Sequence, residues 1–234
     1  MTKQFKILIA CEHSGAIRDE FIRLSEVTAE QGFTFDAYSN DLEFMQPEGE
    51  YPDHHLFGDC LTFLESPPFG KWDLLIAHPE CTYVCGSGIH RNKDNPERQL
   101  KTAMALDFAR KLIDREDVAH VAVENPVGVM STLIRKPDQI IQPYQFGDDA
   151  SKKTCLWLKN LPKLTMDPER RVKGRMVQNA NGTVVERWAN QTDSGQNRLA
   201  PSKDRWKERS KTYPGIARAI AEQWGAYLME TYKQ

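Results

Sequence analysis

The chain has 234 residues, of which 40% are hydrophobic and 27% charged, and its formal net charge at pH 7 is −2. This composition is typical of a globular domain with a buried core, and it excludes intrinsic disorder and a coiled coil. The longest apolar run, residues 7–11, has the length of a strand, whereas a membrane-spanning helix needs about 18 apolar residues. Five scattered cysteines do not form the framework of a secreted mini-protein. Residues 1–6 show no signal-peptide pattern, so we expect a cytoplasmic protein without a membrane segment.

The net charge conceals an uneven distribution along the chain. Residues 1–60 hold twelve acidic and four basic residues, a balance of −8, so the remainder of the chain balances at +6. The basic residues concentrate in residues 152–175, with eight Lys and Arg against two acids, and in residues 198–211, with six against two. This distribution suits a protein whose later segments contact a polyanion such as nucleic acid. The alternative is a solvated surface without a binding role.

Predicted strands and helices alternate along the chain. Apolar runs predict strands at residues 5–11, 33–38, 72–77, 120–123 and 155–158. Helices are predicted at residues 16–31, 60–66, 95–114 and 214–230. This alternation predicts a doubly wound α/β sheet with mostly parallel strands. We expect a single domain over residues 1–234, with a polar and basic insertion of little regular structure at about 165–210.

The spacing of apolar residues predicts which face each helix buries. The helix at 95–114 begins with Asn95 as its N-cap and Pro96 in its first turn. The residues expected on buried faces are Ala16, Phe21, Leu24 and Val27 in the first helix, Leu100, Met104, Phe108 and Leu112 in the helix at 95–114, and Ile216, Ile220, Trp224 and Tyr227 in the last.

The residues that follow the predicted strands are candidates for a site, because ligands of doubly wound sheets bind beyond the carboxyl ends of the strands. These residues are the turn 12–15, Asp41, Asp59, Pro79 to Cys81, and Glu124 with Asn125. The glycine of the first turn lets the backbone approach a ligand, and Asp41 can accept hydrogen bonds from ribose hydroxyls. Because the turn lacks a Gly-x-Gly-x-x-Gly pattern, S-adenosylmethionine fits it better than a dinucleotide. The alternative is an ordinary turn.

Cys81 follows the predicted strand 72–77 and lies close to Pro79. A thiolate is a good nucleophile when a cation or a helix N-terminus lowers its pKa. Most isolated cysteines are nevertheless small core residues. Cys81 could also hold a metal together with Cys85, His78 and His90, but structural zinc sites have tighter, paired ligands, so we expect no metal.

Glu124 ends an apolar strand and precedes Asn125 and Pro126. Burial at such a position raises the pKa of a carboxyl group, and a protonated carboxyl group can donate to a ring nitrogen. The alternative is a carboxylate that caps the following turn.

In chain order, these motifs resemble the DNA (cytosine-5)-methyltransferase family. The turn His13-Ser14-Gly15 looks like the Phe-x-Gly turn of that family, and Asp41 and Asp59 look like its ribose-side and adenine-side acids. Pro79-Glu80-Cys81 corresponds to the Pro-Pro-Cys motif that holds the nucleophile, and Glu124-Asn125-Pro126 corresponds to Glu-Asn-Val.

The later part of the chain continues the resemblance. Phe146-Gly147, followed by Lys152 and Lys153, is similar to the Phe-Gly and Arg-rich motif, and residues 213–221 are similar to the closing helix that lines the cofactor pocket. The motifs cover nearly the whole chain. The likeness is greatest to the small methyltransferase-like proteins of bacteriophages and prophages.

The resemblance implies a methyltransferase (Rossmann-like) fold and the transfer of a methyl group from S-adenosylmethionine to C5 of cytosine in DNA. Cys81 would attack C6 of a flipped-out base and Glu124 would protonate N3 or hydrogen-bond to it, with Asn125 and Pro79 beside them. The implied cofactor-binding residues are His13, Ser14, Gly15, Asp41, Asp59 and Pro79. The implied phosphate-binding residues are Lys152, Lys153, Arg170, Arg171, Lys173 and Arg175.

Departures from the family pattern leave other functions open. Ala16-Ile17-Arg18 replaces a glycine-rich segment, and Glu80 replaces a proline beside the thiol. Only residues 159–213 separate the last predicted strand from the closing helix, where the family has a large target-recognition domain. This short region favours a free pyrimidine nucleotide or single-stranded nucleic acid as substrate. The other departures are compatible with a non-catalytic protein of this fold that binds nucleic acid or a protein partner.

Overall fold

The central element of the computed structural model, which describes residues 2–42, 47–203 and 205–233, is a seven-stranded sheet. Its strands are β1 (Lys3–Ala10), β2 (Phe33–Asp41), β3 (His55–Phe57), β4 (Leu74–Ala77), β5 (His120–Pro126), β6 (Gln139–Ile141) and β7 (Thr154–Lys159). They lie in the order β3-β2-β1-β4-β5-β7-β6. β1 to β5 pair in parallel, and β7 is antiparallel to β5 and β6. The predicted doubly wound, mostly parallel α/β sheet is confirmed.

Helices connect the strands. The α-helices among the described residues are α1 (Ala16–Thr28), α2 (Cys60–Glu65), α3 (Pro96–Ile113), α4 (Met130–Leu133), α5 (Arg205–Ser210) and α6 (Pro214–Tyr232). Short 3₁₀ turns cover Ala29–Gln31, Pro52–His54, Ile89–Asn92 and Pro143–Phe146. Within the described segments, no helix combines the length and the apolar character that crossing a membrane requires.

The two faces of the sheet bury separate apolar clusters. On β1, Phe5, Ile7 and Ile9 pack against residues of α1 and α6. The alternate residues Leu8 and Ala10 pack on the other face against α2 and α3, as the two-residue period of a strand requires. Strands covered on both faces read as continuous apolar runs, and all four residues of β4 are buried. The carboxyl ends of these strands form the edge described below.

The buried face of α3 differs from the predicted one. Leu100 and Met104 are 62% and 63% exposed. The buried residues of α3 are Thr102, Leu106, Ala109, Leu112 and Ile113. In a helix of 3.6 residues per turn, each step of four residues advances about 40° around the axis, so three steps from Leu100 turn about 120° and leave the face on which Leu112 lies. Val27 of α1, which was also expected to be buried, is 69% exposed.

The segment 165–210, for which little regular structure is expected, contains a two-stranded hairpin and the short helix α5. Strands β8 (Arg175–Gln178) and β9 (Val184–Arg187) form an antiparallel hairpin. Just after β9, the ring of Trp188 stacks on Tyr144 with 3.9 Å between ring centroids. Asn190 accepts a hydrogen bond from the backbone N–H of Ser151 and donates one to its carbonyl. The hairpin is therefore fixed to the segment that precedes β7.

Candidate functional site

Four strands of the sheet end at the same level. In the register of the parallel pairs, Ala10 of β1 lies opposite both Asn40 of β2 and Ala77 of β4, and Ala77 lies opposite Val123 of β5. The next residues along these strands therefore meet at one edge, which we call the carboxyl rim and define by its site residues. These are Glu12, His13, Ser14, Gly15, Asp41, His55, His78, Pro79, Cys81, Glu124 and Asn125.

Asn125 joins the ends of β4 and β5. Its side chain is buried, and Nδ2 donates a 2.7 Å hydrogen bond to the carbonyl of Pro79. Pro79 is buried as well. The loop that holds Cys81 is thereby tied to the strand that holds Glu124, which is a positioning function for the Asn and Pro that the sequence singled out.

His78 contacts Glu124 from the end of β4. Its ring Nδ1 lies 3.2 Å from Glu124 Oε2, and the side chains of the two residues are 14% and 19% exposed. Burial raises the pKa of Glu124, but the hydrogen bond from His78 and the positive charge of Lys152 outweigh burial, so the pKa lies below its usual value. Glu124 is therefore ionised at neutral pH and accepts a hydrogen bond from Nδ1–H of His78.

Cys81 is exposed at the rim. Desolvation of its sulfur raises its pKa, and Cys85 and Glu124 raise it further, whereas Lys152 and Arg209 act in the opposite direction. Thiol and carboxylate are thus close enough to influence each other. At neutral pH the thiol is protonated, so its use as a nucleophile requires that it lose a proton when a substrate is bound.

The turn after β1 brings the side chain of Arg18 beneath it. Gly15 adopts the left-handed conformation with φ 67°, and a Cβ there would lie 2.1 Å from the guanidinium of Arg18. Arg18 is fully buried and donates to Asp19, to Ser39 Oγ and to the carbonyl of Glu48. A glycine is needed at this position because any side chain would be strained and would displace the buried arginine.

Two histidine rings lie beside this turn. His13 and His55 meet edge to face with 6.2 Å between centroids. His55 Nδ1 lies 2.7 Å from Ser39 Oγ. Burial, Arg18 and His13 together lower the pKa of His55 to about 4, so its ring is neutral at pH 7.

The two predicted cofactor acids differ in their surroundings. Asp41 ends β2 and is half-buried, and its Oδ1 accepts a 2.6 Å hydrogen bond from the backbone N–H of Leu42. Asp59 is exposed and is the N-cap of α2, accepting from the backbone N–H of Leu61 at 2.9 Å. Both raise the pKa of Cys11, so both lie near the end of β1. Asp59 has a local structural function that does not require a ligand.

The carboxyl rim collects buried polar atoms that lack hydrogen-bond partners in the described parts of the chain. The described residues contain eight such side-chain atoms, and six of the eight belong to the carboxyl rim. They are Glu12 Oε2, Nδ1 and Nε2 of His13, Nε2 of His55, Nε2 of His78 and Asn125 Oδ1. Buried polar groups are nearly always hydrogen-bonded, so this concentration indicates a place where a polar ligand or bound water completes the structure.

The basic residues divide into two groups. Lys152 affects the pKa of both Cys81 and Glu124, and its Nζ donates to the carbonyl of Arg209 at 2.9 Å. Lys153 is exposed and acts electrostatically on Cys155 of β7. The structure thus brings Lys152 to the part of the rim that holds Cys81 and Glu124, whereas Lys153 acts on Cys155.

The three predicted phosphate-binding arginines each form an ion pair within the protein. Their partners are Glu222 and Asp167 for Arg170, Glu186 for Arg171 and Asp193 for Arg175. Lys173, between them, is exposed. A phosphate would have to compete with a carboxylate at each arginine.

Among the described residues, no three or more His, Cys, Asp or Glu side chains form a cluster suited to a metal ion. Cys85 Sγ instead lies 3.3 Å from Ser87 Oγ.

Sequence reasoning gave Glu12 no role beyond its place in the turn 12–15, counted Arg209 only within the basic segment 198–211, missed His55, and considered His78 only as a metal ligand. The positions of Glu12 and His78 at strand ends were visible in the sequence. What the sequence did not contain was the strand order, which places His78 between the ends of β1 and β5.

No family model matches the chain, and no curated protein matches it. Among solved structures 44 chains match. One is described as the structure of the methyltransferase EhMeth of Entamoeba histolytica, with 16% sequence identity and a TM-score of 0.46. The match covers 74% of this chain and 59% of that one, less than two thirds of its length. The fold class, a Rossmann-like doubly wound sheet, is defined by the strand order and directions given above.

Proposed function

We propose that the chain is an S-adenosylmethionine-dependent methyltransferase that acts on C5 of cytosine in DNA. The observation that supports this proposal most strongly is the carboxyl rim itself. One side of it presents the thiol of Cys81 near Glu124, and the other side presents buried polar atoms around the glycine turn that have no partner among the described residues.

The residues of the turn fit the cofactor in their donor and acceptor chemistry. S-Adenosylmethionine has hydroxyl, amino, carboxylate and ring-nitrogen groups that need both donors and acceptors. The two ring nitrogens of His13 can donate and accept, and Glu12 and Asp41 offer acceptors. When bound, the cofactor would supply the methyl group. Ser14, whose Oγ donates to Glu12 Oε1 at 3.4 Å, would help to orient that acceptor.

The other side of the rim would activate the base. Cys81 loses its proton to solvent, and its thiolate forms a bond to C6 while N3 accepts a proton from Glu124. Lys152 lies near both groups and would stabilise the thiolate. When the proton on C5 is later lost to solvent, the S–C6 bond breaks, the thiolate is freed, and N3 returns its proton to Glu124. Asn125 holds the two strand ends in register for these steps.

A covalent adduct tests the proposal. DNA that contains 5-fluorocytosine retains fluorine at C5, so elimination fails and the protein should remain attached to the DNA through sulfur. Intact-mass spectrometry of the protein with this DNA and cofactor should show the adduct for the wild type and none for Cys81→Ser. Cys85→Ser, four residues away, is the matched control and should retain the adduct. Absence of an adduct with the wild type would contradict the proposal.

A free pyrimidine nucleotide or single-stranded nucleic acid is a second candidate substrate. It is favoured by the arginines of the insertion, which are paired with carboxylates, and by the small size of the hairpin in the region where a target-recognition domain would lie. Turnover of a mononucleotide, with no gain in rate on duplex DNA, would distinguish it from the first proposal.

A further inference from the structure

We propose that His78 connects Glu12 to Glu124 as a proton relay, in which Glu12 holds the proton that Glu124 later gives to the base. This inference rests on the proposed function, and it assigns positioning and proton-storing roles to two residues that do not contact the base. His78 is suited to this role because β4 lies between β1 and β5 in the sheet. Its neighbours across the rim are therefore Glu12 on one side and Glu124 on the other.

The His78 ring has one engaged nitrogen and one free nitrogen. Nδ1 is hydrogen-bonded to Glu124 Oε2 at 3.2 Å. Nε2 is buried, and among the described residues it has no partner. The two ring nitrogens point in diverging directions, so Nε2 faces away from Glu124. An imidazole in this arrangement can receive a proton at one nitrogen while it releases one from the other.

Glu12 is the group available to supply that proton. It is 4% exposed, and its Oε1 accepts from the backbone N–H of Ile17 at 3.1 Å. Its Oε2 is buried and has no partner in the described segments. Burial raises the pKa of Glu12, although His78, the N–H of Ile17 and Arg18 oppose this effect. Because a carboxylate with one bare oxygen is costly to bury, the relay places the stored proton on Oε2 of Glu12.

The relay explains how Glu124, which is ionised, can donate a proton to the base. Glu124 accepts a hydrogen bond and is ionised, but donation to N3 requires a proton on it. In the relay, the Nδ1 proton of His78 moves to Glu124, and Nε2 takes the proton of Glu12 through one intervening water, since Nε2 and Glu12 Oε2 are not hydrogen-bonded to each other. The net change is from protonated Glu12 and ionised Glu124 to ionised Glu12 and protonated Glu124. No proton is gained or lost, and the return of the N3 proton restores the first state.

Other charged and titratable groups also face this trio, and they are part of any pH dependence. Arg18 on α1 acts on Glu12, Lys152 before β7 acts on Glu124, and Cys81 and Cys155 both respond to Glu124. The test must therefore follow the individual carboxyl groups as well as the rate.

The first measurement needs no turnover. The side-chain carboxyl carbons of Glu12 and Glu124 can be titrated by NMR in the wild type and in His78→Asn, where the Asn amide replaces Nδ1–H as donor but cannot relay a proton. We expect the titration of Glu12 to move to higher pH in this variant and Glu124 to titrate independently of it. His120→Asn is the matched control, since His120 lies at the opposite end of β5 and bonds to the carbonyl of Asn160. Unchanged titrations of both carboxyl groups in His78→Asn would overturn the relay.

The second measurement uses the rate of adduct formation with 5-fluorocytosine DNA. A general acid contributes about 10²–10⁴-fold to a rate, so His78→Asn and Glu12→Gln should each lower the maximal rate at least tenfold while leaving the half-saturating DNA concentration within about threefold. If His78 only orients Glu124, His78→Asn will equal the wild type and His78→Ala alone will be slow, which would overturn the relay. If the wild type forms no adduct, the proposed function fails, and the NMR titration still decides the coupling. Thermal unfolding of each variant checks that it is folded.

Discussion

The carboxyl rim and the basic insertion at 165–210 differ in whether their polar groups have hydrogen-bond or ion-pair partners. At the rim, six buried polar atoms have no partner among the described residues, and the pKa values of Glu12, His55, Cys81 and Glu124 are all displaced. In the insertion, Arg170, Arg171 and Arg175 each have a carboxylate partner. Unsatisfied groups are expensive and persist where a ligand needs them. Ion-paired side chains hold a segment in place. A concentration of positive charge was therefore a weaker indication of a binding site than a group of buried polar atoms without partners.

The largest effect expected at the rim is a dependence of stability on pH through His55. Its pKa is about 4 in the folded protein against an ordinary value of 6.5, so between these two values the unfolded chain binds more protons. The contribution of His55 is therefore complete above pH 6.5 and is lost as the pH falls through 4, about 3 kcal/mol in all. Urea unfolding at pH 7 and pH 4 should show a smaller difference for His55→Asn, which keeps a donor or acceptor for Ser39. Equal differences would mean that His55 is accessible to solvent.

The next largest effects are expected from alanine substitutions of the two predicted cofactor acids, which should change different properties. Asp41→Ala removes an acceptor at the rim and should weaken S-adenosylmethionine binding by about 1.5–3 kcal/mol, the value of a hydrogen bond to a charged group. Asp59→Ala removes the N-cap of α2 and should lower the free energy of unfolding by about 1 kcal/mol. Calorimetric titration and urea unfolding of both variants check this. If Asp41→Ala retains full affinity, the acid that ends β2 is not part of a cofactor site.

The sequence predicted the sheet, but much of the contrast between the carboxyl rim and the insertion could not be predicted from it. The alternation of apolar strands and helices predicted the sheet, and the apolar run of β4 placed Cys81 directly after a buried strand. β3 and β6 were missed because three residues are too few to show a period. The antiparallel direction of β7 is a tertiary property. The pairing of Arg175 with Asp193 likewise depends on how the hairpin folds, and no spacing in the sequence announces it.

The smallest expected effect compares lysines with arginines in DNA binding. Each phosphate neutralised on duplex DNA contributes about −0.9 to the slope of log affinity against log salt. Lys152→Gln combined with Lys153→Gln should therefore reduce the slope by about 1.8 if both lysines touch phosphate. Arg170→Gln combined with Arg175→Gln should change the slope by less than about 1, because their carboxylate partners already neutralise them. An equal reduction for both pairs would show that the ion pairs of the insertion open on binding.

We propose that the rim atoms that have no partner among the described residues form the cofactor site, and that the insertion does not contribute to it. Isothermal titration of S-adenosylhomocysteine into the wild type and into a variant with Arg170, Arg171 and Arg175 all changed to Gln tests this most directly. We predict one site per chain, with the same affinity in both proteins to within about twofold, a difference of less than 0.5 kcal/mol. Absence of binding by the wild type, or loss of binding in the insertion variant with its fold intact, would contradict the claim.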